Sequence, residues 1–348
     1  MKRTDQHIKF SAQIMMLFIL LLTSLSFQGQ KMDEIVDLSG VWKFSIGDNP
    51  AWADPGFDDT NWEWLSVPGS WEEKGFHGYD GYAWYRKTFQ MPISAENLNL
   101  YLQLGYIDDV DEVYVNGKKI GHTGKFPPHY TTAYNARRLY MVPQKVLYQS
   151  REVTVAIRVY DQGGEGGIVH GNVGLMVDRT AIYPEIDLQG EWKFKIGSCA
   201  DLPARKEYQT WDDIVVPGIW EDQGYKDYDG TACYVTEFEL NGQFAGKRMV
   251  LLLGRIDDLE MVYINGVLIG QSGDFEIETV QKYSDMYKQF RGYYIPQGVL
   301  RDDGVNVLVV KVLDYMGLGG IWDGTVGLIT QEKYIEYWRR KRNAINDY

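Results

Sequence analysis

Along most of the chain the hydrophobic residues fall in short runs that alternate with polar ones or are rich in β-branched side chains, such as LYLQL, EVYVNG, VTVAIRVY, MVLLL and VLVVKVL. Alternation with a period of two marks a strand with one buried face, and the Gly, Pro, Asp and Asn between the runs mark turns. Asn116-Gly117 and Asn265-Gly266 suit two-residue hairpins, whose central positions need positive φ. No long amphipathic pattern occurs before the tail at 332–348. There Tyr334, Ile335 and Trp338 need burial beside the basic run WRRKR (338–342), which predicts a short docked helix.

The runs also repeat. "LSGVWKFSIG" (38–47) returns as "LQGEWKFKIG" (188–197), "VPGSWEEKGFHGYDGYAWYRKTF" (67–89) as "VPGIWEDQGYKDYDGTACYVTEF" (216–238), and "GYIDDVDEVYVNGKKIG" (105–121) as "GRIDDLEMVYINGVLIG" (254–270). The unchanged order predicts duplication of a complete fold, with domains at 33–180 and 185–331 joined by a short linker holding Pro184. Each copy is expected to be an all-β sandwich of two facing sheets. Trp42, Trp71, Trp192 and Trp220 recur at matching positions and are expected in the core.

The first 26 residues combine a basic head, the apolar run IMMLFILLL and small residues near Ser24 and Ser26, the pattern of a secretory signal peptide; an uncleaved signal anchor is the alternative. The expected location is therefore periplasmic or extracellular. Removing this segment moves the formal charge from -13 to about -15, a poor match for nucleic acid, and no later run is long enough to span a membrane. Export would permit a Cys199–Cys233 bridge; two buried thiols are the alternative.

Little in the chain looks catalytic. G-x-S-x-G, H-E-x-x-H and spaced Cys/His clusters are missing, and two sandwiches leave no room for a barrel of βα units. His77, His122, His129 and His170 all belong to the first copy. Asp108-Asp109 and Asp257-Asp258 are the tempting carboxylate pairs, but neighbours on an extended strand point to opposite faces. These aspartates are expected to be structural, capping backbone N–H groups or pairing, one ion pair per motif, with an arginine of their own copy, Arg138 or Arg291. The glycine stretches DQGGEGG and DYMGLGG precede no helix and carry no Lys-Ser/Thr, which excludes a phosphate loop. No dedicated metal ligands are assigned; a calcium ion at that end is left open.

Sugar recognition needs exposed rings with a few convergent polar groups. The candidates are Tyr79, Asp80, Tyr82, Trp84, His129, Asp161 and His170 in the first copy, and Tyr228, Asp229, Asp314, Trp322 and Asp323 in the second. "YDGYAWYRKTF", "YIDDVDEVYVNGKKIG" and "RVYDQGGEGGI" resemble the galactose-binding-like jelly-roll domain of family 2 glycoside hydrolases, and more closely that of sialate O-acetylesterases. The resemblance runs from Leu38 to Thr330 and implies two tandem jelly-roll β-sandwiches with a short C-terminal helix and no catalytic domain. The function it implies is a secreted, non-catalytic carbohydrate-binding or accessory protein whose partners are an oligosaccharide or glycan and a hydrolase or other protein. The alternatives are a glycosyl hydrolase or carbohydrate esterase with its site at the domain interface, or a scaffold for protein partners.

Overall fold

The computed structural model describes residues 32–95, 98–147, 151–273, 275 and 286–346; the expected signal peptide at 1–26 lies outside them. Ten strands come from the first half of the chain: β1 (Asp33–Asp37), β2 (Gly40–Ile46), β3 (Glu63–Val67), β4 (Gly81–Gln90), β5 (Asn99–Asp108), β6 (Val110–Val115), β7 (Lys118–Thr123), β8 (Arg137–Val142), β9 (Glu152–Asp161) and β10 (Gly167–Asp178). Ten more come from the second: β11 (Ile186–Asp187), β12 (Gly190–Ile196), β13 (Asp212–Val216), β14 (Gly230–Glu239), β15 (Met249–Asp257), β16 (Leu259–Ile264), β17 (Val267–Ser272), β18 (Phe290–Tyr294), β19 (Val305–Asp314) and β20 (Gly320–Thr330). They pair into four antiparallel sheets, ordered β1-β10-β5-β8, β3-β2-β4-β9-β6-β7, β11-β20-β15-β18 and β13-β12-β14-β19-β16-β17. Both hairpins turn as expected, with Asn116 and Gly117 at φ 49° and 75° and Asn265 and Gly266 at 52° and 81°.

This pairing corrects the expected fold. A jelly roll has eight strands, whereas the described residues of each half form ten, divided four and six. The chain is thus an all-β fold of four antiparallel sheets with little helix, and the eight-stranded jelly-roll description does not apply. Nor are the sheets consecutive four-stranded meanders like the blades of a propeller, because β1, β5, β8 and β10 share one sheet while β2, β4, β6 and β9 share another. The picture of tandem, self-contained modules is corrected as well. Gly124 N–H donates to Asp222 O across the halves (2.5 Å), Lys119 pairs with Glu191 (2.6 Å), and both Asn99 Nδ2 (3.0 Å) and Thr325 Oγ1 (2.6 Å) donate to Ile182 O.

Each half closes one apolar core between its two sheets. In the first, Trp42, Phe44, Tyr85, Val113, Ile157 and Val159 of the six-stranded sheet meet Leu102, Leu104, Ile107, Val173 and Leu175 of the four-stranded one. Trp71 and Trp220, fully buried, cap the two cores at matching places. Close approach demands glycine beside them: a Cβ on Gly166 would lie 2.1 Å from Trp71 Cζ2, and one on Gly319 2.1 Å from Trp220 Cε3.

The six-stranded sheets are covered on their outer faces too, and here the halves differ. Trp84 points away from its neighbours Ala83 and Tyr85 and is sealed under the Pro50–Ala53 turn by Trp52, Trp62 and Tyr114. Its indole donates to Asp48 Oδ1 (3.1 Å). At the equivalent register Cys233 bonds to Cys199, fastening the corresponding loop. The C-terminal helix Gln331–Asn346 docks through Tyr334 and Tyr337 on Val250, Leu252 and Ile329.

Gly166→Ala and Gly319→Ala are each expected to lower stability by about 1–3 kcal/mol in urea unfolding, through forced displacement of the tryptophan. Gly242→Ala, where a Cβ meets nothing within 4 Å, should stay within about 0.5 kcal/mol of the parent.

Candidate functional site

The chain passes from the four-stranded to the six-stranded sheet at the junction of β5 and β6, and returns between β9 and β10. Both crossings lie at one rim. Because Asp108 ends β5 and Asp109 stands between β5 and β6, the alternation of an extended strand does not govern them. They do not diverge as expected: Asp108 and Asp109 converge with Asp161, which ends β9, their ligand oxygens all within 4.8 Å of one another. Asp257, Asp258 and Asp314 make the same cluster in the second half, and the Asp-Asp peptide is cis in both.

Backbone and hydroxyl donors hold each cluster but leave it incomplete. Asp109 accepts from Thr132 Oγ1 and from Gln162 N–H (3.0 Å), and Asp161 Oδ1 accepts from Gly163 N–H (2.9 Å). In the second half Asp258 accepts from Tyr315 N–H (3.1 Å) and Asp314 Oδ1 from Met316 N–H (3.1 Å). Asp161 Oδ2 and Asp314 Oδ2 are buried with no hydrogen-bond partner, on residues 0% and 1% exposed. Glu72 and Glu221 repeat the pattern one step away. Each receives a backbone N–H on one oxygen, from Gly166 (3.0 Å) and Gly319 (3.1 Å), and leaves the other buried and unpaired. The sequence carried this signal, since both glutamates follow the repeated V-P-G-x-W, but it went unused.

Crowded, poorly solvated carboxylates hold protons. Burial, then the neighbouring Asp109, pushes Asp108 up to about 7. Burial, against the Gly163 hydrogen bond, pushes Asp161 up to about 6. The second cluster is shifted further, with Asp257 at about 8 through burial and Asp258, and Asp314 at about 7 mainly through burial. Asp109 goes the other way, because the hydrogen bonds from Thr132, Tyr130 and Gln162 outweigh its burial. A divalent cation would replace these protons. The donors are all carboxylate oxygens, which suit a hard ion, and the orphaned Asp161 and Asp314 oxygens fit the same need.

Arg138 and Arg291 sit directly behind the clusters, and each forms an ion pair with the acidic motif of its own copy, through Asp111 or Glu260 rather than the adjacent aspartates. Arg138 Nε binds Asp111 (2.8 Å) and gives Asp109 only its Nη2 hydrogen bond, to the carbonyl (2.9 Å). Arg291 Nε likewise binds Glu260 (3.0 Å) and its Nη2 donates to Asp258 O (2.8 Å).

The sugar-binding candidates scatter. Trp84 is fully buried. The Tyr79 and Tyr228 hydroxyls are spent on Tyr82 O (2.6 Å) and Thr231 O (2.7 Å), and their rings pack on the cores. Asp80 and Asp229 are exposed and flank the clusters, their charges helping to raise Asp161 and Asp314. His129 is exposed, and His170 lies on β10 with its ring 4.4 Å from Tyr106. Trp322 is half-buried with its indole N–H unpartnered, and Asp323 is tied to Arg255. Tyr82 alone joins a continuous aromatic surface. It stacks on Phe126 (5.8 Å, interplanar 6°) and contacts Tyr160 (4.8 Å), which meets Tyr130 (5.7 Å), while the Arg158 guanidinium lies over the Tyr82 and Phe126 rings. Tyr130 hydrogen-bonds Asp109, so this surface abuts the first acidic cluster. The sequence carries a signal for Phe126 too, since the repeated I-G-x-[T/S]-G-x-F places Phe275 at the matching position of the second copy.

Residues 47–165 match the family model described as the β-galactosidase second all-beta domain. Among curated proteins the chain is similar to a putative β-glucuronidase of Formosa agariphila, at 28% identity over 30% of this chain and 11% of that protein. It is also similar to the β-galactosidase BoGH2A of Bacteroides ovatus, at 28% identity over 24% and 11%. It therefore spans only about a tenth of these relatives. A solved calcium-binding mutant of Bacteroides uniformis β-glucuronidase 2 aligns over 82% of this chain and 28% of its own, at 16% identity and a TM-score of 0.35, too low to carry an argument. The resemblance is corrected accordingly. The likeness is distant and partial, and the family match, in the first half, is to an all-beta domain of the β-galactosidases rather than to two galactose-binding-like jelly rolls of the hydrolase and esterase kind. It associates the chain with carbohydrate-active proteins. Among the described residues no helix is long and apolar enough to cross a membrane.

A carboxyl group with a raised folded pKa binds more protons folded than unfolded, so stability falls as pH rises through that range. With Asp161 at about 6, Asp108 and Asp314 at about 7 and Asp257 at about 8, the melting temperature of cation-free protein should fall between pH 5 and 8. Replacing Asp108 and Asp257 together by Asn should flatten that slope; an unchanged slope would refute the clusters.

Proposed function

We propose that the chain is an exported, non-catalytic carbohydrate-binding or accessory protein of glycan degradation, divided at 33–180 and 185–331, with calcium as the ion of its acidic clusters. The observation that carries this reading is the aromatic surface of Tyr82, Phe126, Tyr130 and Tyr160 beside the first cluster. Flat rings bordered by fixed polar groups are what a pyranose face and its hydroxyls need. The partial likeness to proteins named β-galactosidase and β-glucuronidase supports a carbohydrate partner.

The hydrolase alternative has one feature in its favour: Asp108 is held toward protonation and Asp109 toward ionisation, the division an acid–base pair requires. Against it, a glycosidase separates its carboxyl groups by about 5–9 Å so that a sugar ring and water fit between them. Here three carboxylates crowd within 4.8 Å, and Asp161 is wholly buried. An ion fits that space better than a substrate.

Calorimetric titration of the chain from residue 27 onward against a panel of neutral and charged oligosaccharides, with each mixture assayed for released sugar or acetate, tests the reading. Binding without turnover is expected, weakened about tenfold or more, or about 1.4 kcal/mol, by Phe126→Ala. Steady product release would overturn it. Calcium should raise the melting temperature at pH 8, and joint replacement of Asp161 and Asp314 by Asn should abolish that rise.

A further inference from the structure

A cavity of about 1500 Å³ shares no lining residue with the acidic clusters and is bounded by the segment 179–187, the turns at Gln144-Lys145 and Gln243–Lys247, and the C-terminal helix. In a chain of net charge -13, its lining is basic. Lys145, Arg179, Lys247, Lys333, Arg340 and Lys341 face it, against the acids Glu185, Asp187 and Glu336. The two acids of the 179–187 segment are already committed. Glu185 accepts from Thr330 N–H and Oγ1 (2.7 Å each) and pairs with Lys333 (2.6 Å), and Asp187 accepts from the N–H groups of Gln144 and Gln189 (3.0 Å each). Glu336 faces Arg340 at 3.6 Å. Lys145, Lys247 and Lys341 are exposed and have no carboxylate within 4 Å among the described residues.

The floor between these cations is apolar and aromatic, with Ile182, Pro184, Phe244, Ile329 and Tyr337. Lys247 and Lys341 lie over the Phe244 and Tyr337 rings at 5.5 Å, so their stems extend the floor while their ammonium groups rim it. Arg179 pairs with Asp33 (3.3 Å), so the excess positive charge of the rim rests on Lys145, Lys247 and Lys341, and an apolar platform bordered by these lysines matches a ligand with hydrophobic faces and repeated negative charge. The volume exceeds the roughly 300–1,000 Å³ typical of small-molecule pockets, which favours a chain of several residues over a single sugar or phosphate.

We infer that this groove binds an acidic oligosaccharide, one whose sugar rings carry carboxylate or sulfate groups. The inference rests on the carbohydrate reading and adds to it a second site, formed by both halves and the tail, and a ligand charge. Electrostatic recognition of this kind weakens as salt rises, because exposed cations are screened beyond about 8–10 Å.

The test is calorimetric titration of the chain from residue 27 onward with a hexameric oligouronate, its carboxyl-reduced neutral counterpart and a single-stranded oligonucleotide of equal charge, at 50 and 300 mM salt. We expect the oligouronate to bind at least about tenfold more tightly than the other two and to weaken with salt. Joint Lys145→Glu and Lys247→Glu substitution should weaken it a further tenfold or more with the melting temperature unchanged, while Phe126→Ala leaves it unaffected. Equal binding of the neutral oligosaccharide would overturn the inference and leave the carbohydrate reading standing. Equal binding of the oligonucleotide, or indifference to the lysine substitutions, would overturn the assigned ligand or the assigned place. Failure of every oligosaccharide in this and the wider panel would overturn both readings.

Discussion

In each half an arginine without access to water fixes the geometry of everything around it. Arg138 is 0% exposed and its guanidinium is divided among Asp111, the carbonyl of Asp109 and the carbonyls of Ala133 and Ala136; Arg291, 3% exposed, does the same with Glu260, Asp258, Ile256 and Gln289. A buried charge must find its partners inside the protein, and breaking such a pair typically costs about 3–5 kcal/mol. The carbonyl of the second aspartate is among those partners, so the arginine holds the crossing between sheets in place. That crossing brings two adjacent carboxylates together and presents them to the third. The acidic clusters are thus a consequence of where the chain must turn.

The halves share this rim and diverge elsewhere. The first keeps Tyr82, Phe126, Tyr130 and Tyr160 beside its cluster, whereas Thr231 and Leu313 stand at the positions equivalent to Tyr82 and Tyr160. Among the described residues the joined rings stand in the first half, whereas an acidic cluster stands in both, which separates the two tasks. The cluster belongs to the architecture both halves inherit, and the rings belong to what one half recognises.

How far the sequence disclosed this depends on the range of the interactions concerned. Period-two alternation, the Asn-Gly turns and the repeated tryptophans report local geometry, and they led to strands, hairpins and Trp71 and Trp220 in the core. The alternation rule failed at Asp108 and Asp109 because it holds only inside a strand, and these residues stand where one ends. Trp84 reads as a binding ring because it belongs to the aromatic, loop-like segment YDGYAW; the structure places it on β4, and the turn that buries it, with Trp52 and Trp62, comes from upstream and shows no periodicity. Strand number and sheet membership depend on which edges pair across the whole fold, which local alternation does not encode, and there the jelly-roll expectation fails. Arg138 and Arg291 meet the third acid of the repeated motif, Asp111 and Glu260, which stands buried on β6 and β16, two residues past Asp109 and Asp258.

The outer faces of the six-stranded sheets hold their covering loops by unlike means. At the same register one half uses Trp84, with its indole on Asp48 and its ring among others, and the second uses the covalent bond from Cys233 to Cys199. Packing of the first kind forms in any aqueous compartment, whereas the bond forms only where thiols can be oxidised. A chain matured under reducing conditions would keep the first clasp and lack the second. The relative firmness of the two loops is therefore a record, written into the molecule itself, of the redox environment in which it folded.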